Sequence, residues 1–214
     1  MQKIIIRKFK KSDRPAVRTI ACDTAFLGKP VEAFFEGREI IADFLTRYFT
    51  DYEPQSCFIA EVNTETAGYL LGAKDTARLA RVAFCKIALP LLVKIVFRAA
   101  LFNRKNLTFL CRMLLSCLRG ELKTPELHEL YPATLHINLA ARFRSQGLGS
   151  DLIESYLAYL RQEQVAGVYL ATISTQAAAF FERCGFSLLH QSKRSYFRHI
   201  LQHDLPCDIY AKKL

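Results

Sequence analysis

RSQGLGSDL, Arg144 to Leu152, sets two glycines around one leucine, between an alternating apolar run and a stretch of helical periodicity. A glycine in the first turn of a helix costs about 1 kcal/mol relative to alanine. Two of them call for a local reason, and the usual one is close approach of a partner to the backbone. Upstream, TLHINLA (134–140) alternates Leu135, Ile137 and Leu139 with Thr134, His136 and Asn138, the pattern of a strand. Downstream, Leu152, Ile153, Tyr156, Leu157 and Leu160 have helical spacing over Gly149 to Gln164, and GVYLATI (167–173) returns as a strand. The nonapeptide is the bend of a strand, helix, strand crossover.

Three phosphate-cradling motifs place glycines at such a bend, and spacing separates them. A dinucleotide fingerprint needs a third glycine where this chain has Leu152, and a P-loop needs a Gly-Lys-Ser/Thr run that is absent. What remains is Arg144-x-x-Gly147-x-Gly149, whose backbone N–H groups at a helix N-terminus would bind a pyrophosphate without a metal.

The rest of the chain is arranged around this crossover. Ile4 to Phe9 reads as a strand; Ser12 is placed to cap a helix with Ala16, Val17, Ile20 and Ala21 on one face. A second helix carries the stripe Ile41, Phe44, Leu45, Tyr48 and Phe49 and ends at DYEP (51–54). CFIAEV and AGYLLGA form a hairpin joined by Asn63 to Thr66. TQAAAFFERCG makes a short helix ending at Gly185, and FSLLHQ and CDIYAK supply two last strands. The expected architecture is a mixed, mainly antiparallel central sheet with helices on both faces, one domain over 1–214.

Residues 76–123 stand apart. They hold ten of the thirty Lys and Arg but one of the twenty acids, Glu121, so nearly all of the formal charge of +10 belongs to this segment. It reads as a basic helical insert interrupted at Pro90, with Arg98, Lys105, Arg112 and Arg119 forming one cationic stripe beside Leu101, Leu107, Leu110, Leu114, Leu115 and Leu118. A face that apolar calls for a partner: the protein's own core as a lid, a second copy in a homodimer, or a membrane surface or acyl carrier. Its uncharged runs are too short to span a bilayer. Basic residues interleaved with aromatics, as in single-strand binders, are absent, so nucleic acid is not expected. Seven cysteines, an odd count without CxxC or His-ligand spacing, argue against a disulfide framework and against zinc. The N-terminal MQKIIIRKFKK lacks a signal-peptide core, which leads to the expectation of a reduced, cytoplasmic protein.

RSQGLG, directly after TLHINLAARF, resembles the acetyl-CoA signature R/Q-x-x-G-x-G/A of the GNAT acyltransferase superfamily. AAAFFERCGF (177–186) resembles that family's later A-x-x-F-Y-E-x-x-G-F element, and YPATLHINL is similar to the fourth strand of a bacterial subgroup. The succession of elements matches the family topology over nearly the whole chain outside the insert. The resemblance implies acetyl-CoA as cosubstrate, no metal, and N-acetyl transfer to an amine of a small molecule or peptide. It implies that Gln146, Gly147, Leu148, Gly149 and Ser150 hold the pyrophosphate with their amides, Arg144 opening the motif. The strand end Leu139, Ala140 and Ala141 would pair with the pantetheine arm. Ser174 stands where the family usually has asparagine, and Phe181 where it usually has the tyrosine that protonates the departing thiolate.

Acyl transfer needs a neutral amine, and an alkylammonium of pKa near 10.4 is only about 0.04% neutral at pH 7. A base is therefore expected, and His136, on the polar face of its strand, is the candidate. Tyr131, Tyr156 and Cys184 are candidate replacements for the missing acid at Phe181, and Asp23, Tyr52 and Glu53 are candidate contacts for the acceptor amine. The competing functions are an acyl-CoA-binding module that has lost its chemistry, and a membrane- or partner-binding protein acting through the insert.

Overall fold

The structure is a computed structural model that describes residues 3–97 and 103–214. In chain order it runs β1 (Ile4–Lys8), α1 (Arg14–Asp23), α2 (Arg38–Tyr52), β2 (Cys57–Val62), β3 (Glu65–Ala73), α3 (Thr76–Val82), α4 (Leu89–Phe97) and α5 (Arg104–Leu118). There follow β4 (Ala133–Leu139), α6 (Leu148–Gln162), β5 (Gly167–Thr172), α7 (Thr175–Arg183), β6 (Ser187–Arg194), α8 (Arg198–Leu201) and β7 (Leu205–Lys213). The seven strands form one sheet in the order β1-β2-β3-β4-β5-β7-β6. Every neighbouring pair is antiparallel except β4 and β5.

Alternation along β4 sorts its side chains as the pattern predicts. Leu135, Ile137 and Leu139 join the core under α6 with Leu148, Leu152, Tyr156 and Leu160. His136 and Asn138 lie opposite Leu71 and Tyr69, which pack with Val17 and Ile20 of α1 on the other face. The two ends of this region are pinned by Tyr156, fully buried, whose hydroxyl donates to Ala73 O (3.2 Å) and Thr134 O (2.9 Å).

Several local expectations shift. A short 3-10 turn, Lys11–Asp13, leads into α1, and it is the carboxylate of Asp13 rather than Ser12 that takes the Lys10 N–H (2.8 Å) while pairing with Arg7. The hairpin turn is Asn63-Thr64 alone, both at positive φ (49° and 70°), so Glu65 and Thr66 belong to β3. A two-residue turn with both φ positive matches the twist of its strands better than a four-residue link. On α2 the buried face includes Ile40, Ala42 and Tyr48, and Phe44 is 63% exposed. Pro90 does not interrupt the helix: a π-helical stretch, Ala83–Ala88, runs directly into α4, and Pro90 sits in its first turn. The wider turn absorbs the missing donor.

The helices of 76–118 pack on the protein's own loops. Asn106 of α5 accepts from Glu36 N and donates to Glu36 O (both 2.7 Å), and Phe109 packs on Phe34 (ring centres 4.8 Å apart) and Phe197 (5.8 Å). The expected cationic stripe is divided by this docking. Lys105 turns inward to Glu36 (2.6 Å) and to Glu32 O (2.8 Å), Arg112 is exposed, and Arg98 and Leu101 lie outside the described residues. Phe84, Leu92, Leu114 and Leu118 are more than half exposed. Among the described residues no helix is long and apolar enough to cross a membrane.

Candidate active site

The site begins where the sheet fails to close. β4 pairs with β3 from Thr134 to Leu139, but with β5 only at Ala133 and Thr134. Beyond Thr134 the two parallel strands diverge, so the edge of β4 from Leu135 to Leu139 faces β5 without a ladder. An unpaired edge is a template for an extended chain carrying amides. One acceptor on it is occupied: Arg144 Nε donates to Leu139 O (3.2 Å), with its guanidinium resting against Gly28 in the loop between α1 and α2. Ala140 N closes the strand by bonding Ala67 O (2.9 Å).

The chain then bends through Ser145 (φ 63°) and Gly147 (φ 83°) into α6. Ser150 N and Asp151 N both donate to Gly147 O (2.9 and 3.2 Å), so the Ser150 amide is spent on the helix. No backbone acceptor among the described residues takes the N–H of Gln146, Gly147, Leu148 or Gly149. Four unclaimed donors at the positive end of a helix dipole make an anion cradle. The two glycines have different jobs. A Cβ added at Gly147 would meet nothing within 4 Å, whereas one at Gly149 would come within 3.1 Å of Phe180 Cζ. Gly147 serves the left-handed bend and keeps the cradle open; Gly149 serves the packing of α7 on α6. The side chain of Leu148 is fully buried, so only its amide faces the bend.

On the opposite face, Asn138 Nδ2 donates to Tyr69 Oη (3.0 Å) and to His136 Nε2 (3.2 Å). This arrangement leaves Nδ1 as the imidazole's protonated nitrogen. His136 is half-buried, and burial pushes its pKa down to about 4, so the ring is neutral at physiological pH. Asn138 and Tyr69 carried no role in the sequence reading. The period-two spacing of His136 and Asn138 was the available signal; Tyr69 becomes a neighbour only through the β3–β4 register.

The remaining expected residues do not converge on this point. Ser174 caps α7, its Oγ accepting from Ala177 N (3.4 Å) while its own N–H bonds Thr172 Oγ1 (3.2 Å). Phe181 is 5% exposed and packs between Phe180 and Phe186, a core side chain with no free face for a ligand. Tyr156 has its hydroxyl consumed by two carbonyls, and Tyr131 is buried against Gly167. Cys184 lies next to Ser150 at the N-terminus of α6, its thiol pushed up by burial. Asp23 is paired with Arg38, and Tyr52 stacks on Tyr48 with Lys86 over its ring.

Glu53 corrects the acceptor expectation outright. At 1% exposure its carboxylate accepts from Tyr48 Oη (2.8 Å), Ser56 Oγ (2.7 Å) and Lys74 N (2.7 Å), and burial, together with the bond to Glu53, pushes the Tyr48 hydroxyl pKa up. It ties the end of α2 to β3 and cannot reach an acceptor.

An open sheet split between two parallel strands, with an anion cradle at the bend that follows the first, defines an acyl-CoA-dependent acyltransferase fold. Residues 118–186 match the model of the acetyltransferase (GNAT) family, and the mostly antiparallel seven-stranded sheet with its helices has the fold of that family. The crystal structure of SsHAT is similar over 99% of this chain and 98% of that one, at 25% identity and a TM-score of 0.72. A Drosophila melanogaster polyamine N-acetyltransferase, which catalyses formation of N-acetylagmatine, aligns over 99% of this chain and 100% of its own at 14% identity and a TM-score of 0.64. The yncA protein from Salmonella typhimurium, solved with its cofactor acetyl-CoA, aligns over 99% of this chain and 94% of its own at 12% identity and a TM-score of 0.58. No curated protein matches the sequence. The matched segment, which holds the bend and α6, supports an acetyltransferase.

Proposed function

We propose that the chain transfers the acetyl group of acetyl-CoA to an amine of a small molecule or peptide by direct attack on the thioester. One observation carries the reading: β4 parts from β5 immediately before a bend whose amides 146–149 have no backbone partner. An extended, amide-bearing arm ending in a pyrophosphate has the shape and chemistry of that cleft. The amine nitrogen bonds the acyl carbon, the carbon–sulfur bond breaks, the thiolate departs and the amine gives up one proton. An amine acceptor is also what the Drosophila enzyme uses.

The chain's residues divide the work. Leu139, Ala140 and Ala141 present the strand edge, and Arg144 has to release Leu139 O for pairing to extend that far. The amides of Gln146, Gly147, Leu148 and Gly149 hold the anion. His136 is the candidate to receive the amine proton; held neutral, it is a weak base, and its Nε2 has to release the Asn138 N–H before it can accept that proton. Phe181 offers no proton, and a thiol of pKa about 8.5 departs as its anion with solvent completing the exchange.

These roles make a pH prediction. Because His136 titrates at about 4, the acidic limb of kcat/KM belongs to the acceptor, and its apparent pKa follows the amine pKa across a series of acceptors. A limb that stays near 6.5 for every acceptor would instead place an ordinary histidine in control. Folding carries the same signature. The native imidazole binds its proton less readily than the unfolded one, so His136 weakens stability as pH falls from about 6.5 to about 4 and has no effect above that window. Urea midpoints of His136→Gln and the parent chain should converge as the pH is lowered.

A second reading, an acyl-CoA-binding module without turnover, is favoured by Phe181. Release of free thiol from acetyl-CoA across an amine panel, beside calorimetry of CoA binding, separates the two. Amine-dependent thiol release supports transfer; tight CoA binding without release from any amine supports the module; absence of CoA binding defeats both.

A further inference from the structure

α4 and α5 are each apolar on two sides. The inner sides hold them to the protein: Ile87 in the π turn that opens α4, Leu91 of α4 and Phe109 of α5 lie in one buried cluster with Phe34 and Phe35. Because both helices pack inward on the same cluster, their opposite sides look away from it. On α5 that outer side carries Leu107, Leu114 and Leu118, spaced i, i+7 and i+11 along one stripe, whereas Asn106, Phe109 and Ser116 are the buried residues. The stripe runs along most of a 15-residue helix, about 22 Å in length, and Leu118 at its end is 75% exposed. On the π turn and α4, Phe84 is 69% exposed, and Leu89 and Leu92 are more than half exposed. Apolar side chains gathered in this way, among cations, mark a contact surface.

The charge around them has one sign. From Thr76 to Leu118 the sequence has no Asp or Glu, and Arg78, Arg81, Lys86, Arg104 and Arg112 are exposed. Among the described residues the one ion pair of that stretch is Lys105 with Glu36. Thr108, an exposed hydroxyl on α5, is turned back onto Arg104 O (2.7 Å). The charge pattern argues against a second copy of the chain, since a two-fold contact through this face would set its cations against themselves with no carboxylate to answer them. A folded protein partner has to match such a face with shaped pockets and placed acceptors. A bilayer with anionic headgroups offers apolar depth and negative charge uniformly, which is all that leucines among arginines require.

We infer that the outer faces of α4 and α5 dock on an anionic lipid surface. The exposed Leu and Phe side chains enter the boundary between headgroups and acyl chains, and the arginines reach back to the lipid phosphates. The contact is peripheral, because among the described residues no helix is long and apolar enough to cross a membrane. It is independent of the transferase reading, as it uses none of the residues at the bend or on β4.

The test is flotation of the full chain with vesicles of phosphatidylcholine alone and of phosphatidylcholine mixed with phosphatidylglycerol. The expected result is partition onto the anionic vesicles at least about tenfold stronger than onto the neutral ones, weakening as salt is raised. Leu114→Ser with Leu118→Ser should lower that partition by about tenfold or more, through lost apolar burial. Arg78→Gln, Arg81→Gln, Arg104→Gln and Arg112→Gln together should do the same through lost charge. The replaced side chains are exposed, so the melting temperatures of both variants should stay near that of the parent, and the lipid and salt dependence of the unmodified chain decides the matter even if a variant does not fold. Equal partition onto neutral and anionic vesicles overturns the inference, as does anionic binding that neither variant diminishes. A dimer by sedimentation that the leucine variant dissociates, or binding of an acidic acyl carrier protein that the arginine variant abolishes, in either case without vesicle binding, gives the face to a protein partner and overturns it as well.

Discussion

Gly147→Val raises the dissociation constant for CoA by about 100-fold while leaving the chain folded. Gly147 has a φ of 83°, and a β-branched residue forced into that region costs about 1–2 kcal/mol. That strain is small against the stability of a domain of this size, and no neighbour lies within 4 Å of the new Cβ to add a clash. The larger effect falls on the ligand. The added side chain would stand in front of the amides of 146–149, where charge-assisted bonds to a pyrophosphate are worth about 3 kcal/mol in sum, hence the hundredfold. Gly149→Ala is the contrasting variant. Its Cβ meets Phe180 at 3.1 Å, so it should lower the melting temperature and change CoA affinity by less than about threefold. Calorimetry with CoA and thermal melts of both proteins check the pair. A Gly147→Val protein that binds CoA as the parent does would remove the cradle from the mechanism.

Glu53→Ala destabilises the fold by about 3–5 kcal/mol, the usual cost of breaking a buried charged network. Three donors lose their acceptor at once: Tyr48 Oη, Ser56 Oγ and Lys74 N. Two of these sit on elements flanking Glu53 and the third lies 21 residues away, so the carboxylate holds the end of α2 against the exit of β3. Glu53→Gln keeps an acceptor oxygen and should lose less. Urea denaturation gives the stability, and KM for the acceptor, measured on the folded variant, should not move. A raised acceptor KM at unchanged stability would return Glu53 to the acceptor site.

The strand, bend and helix of the crossover were legible because their signals are local. The alternation of β4, the 3.6 period of α6 and the glycine at the left-handed bend are all read within a dozen residues, and the structure places them as that reading requires. The shifts came where one local rule competed with another. Ser12 suits a cap, but the chain first takes a 3-10 turn over Lys11–Asp13, and α1 starts at Arg14 with no side-chain cap. Pro90 suits a helix end, but the π turn before it satisfied the backbone another way.

The acceptor side could not be read in this manner. Asp23, Tyr52 and Glu53 have the right chemistry for a cationic amine, and each is occupied by a partner whose position depends on the closed sheet or on packed helices. The basic segment likewise showed a charge stripe whose Lys105 is claimed by Glu36, 69 residues earlier.

Sequence alone determined the crossover, the bend with its two glycines and the faces of β4, because backbone preference and side-chain period act over a few residues. Tertiary structure decided which charges are spent and which are left over. Burial and pairing are set by segments that meet only when the sheet closes, as Glu121 meets Ser195 across 74 residues.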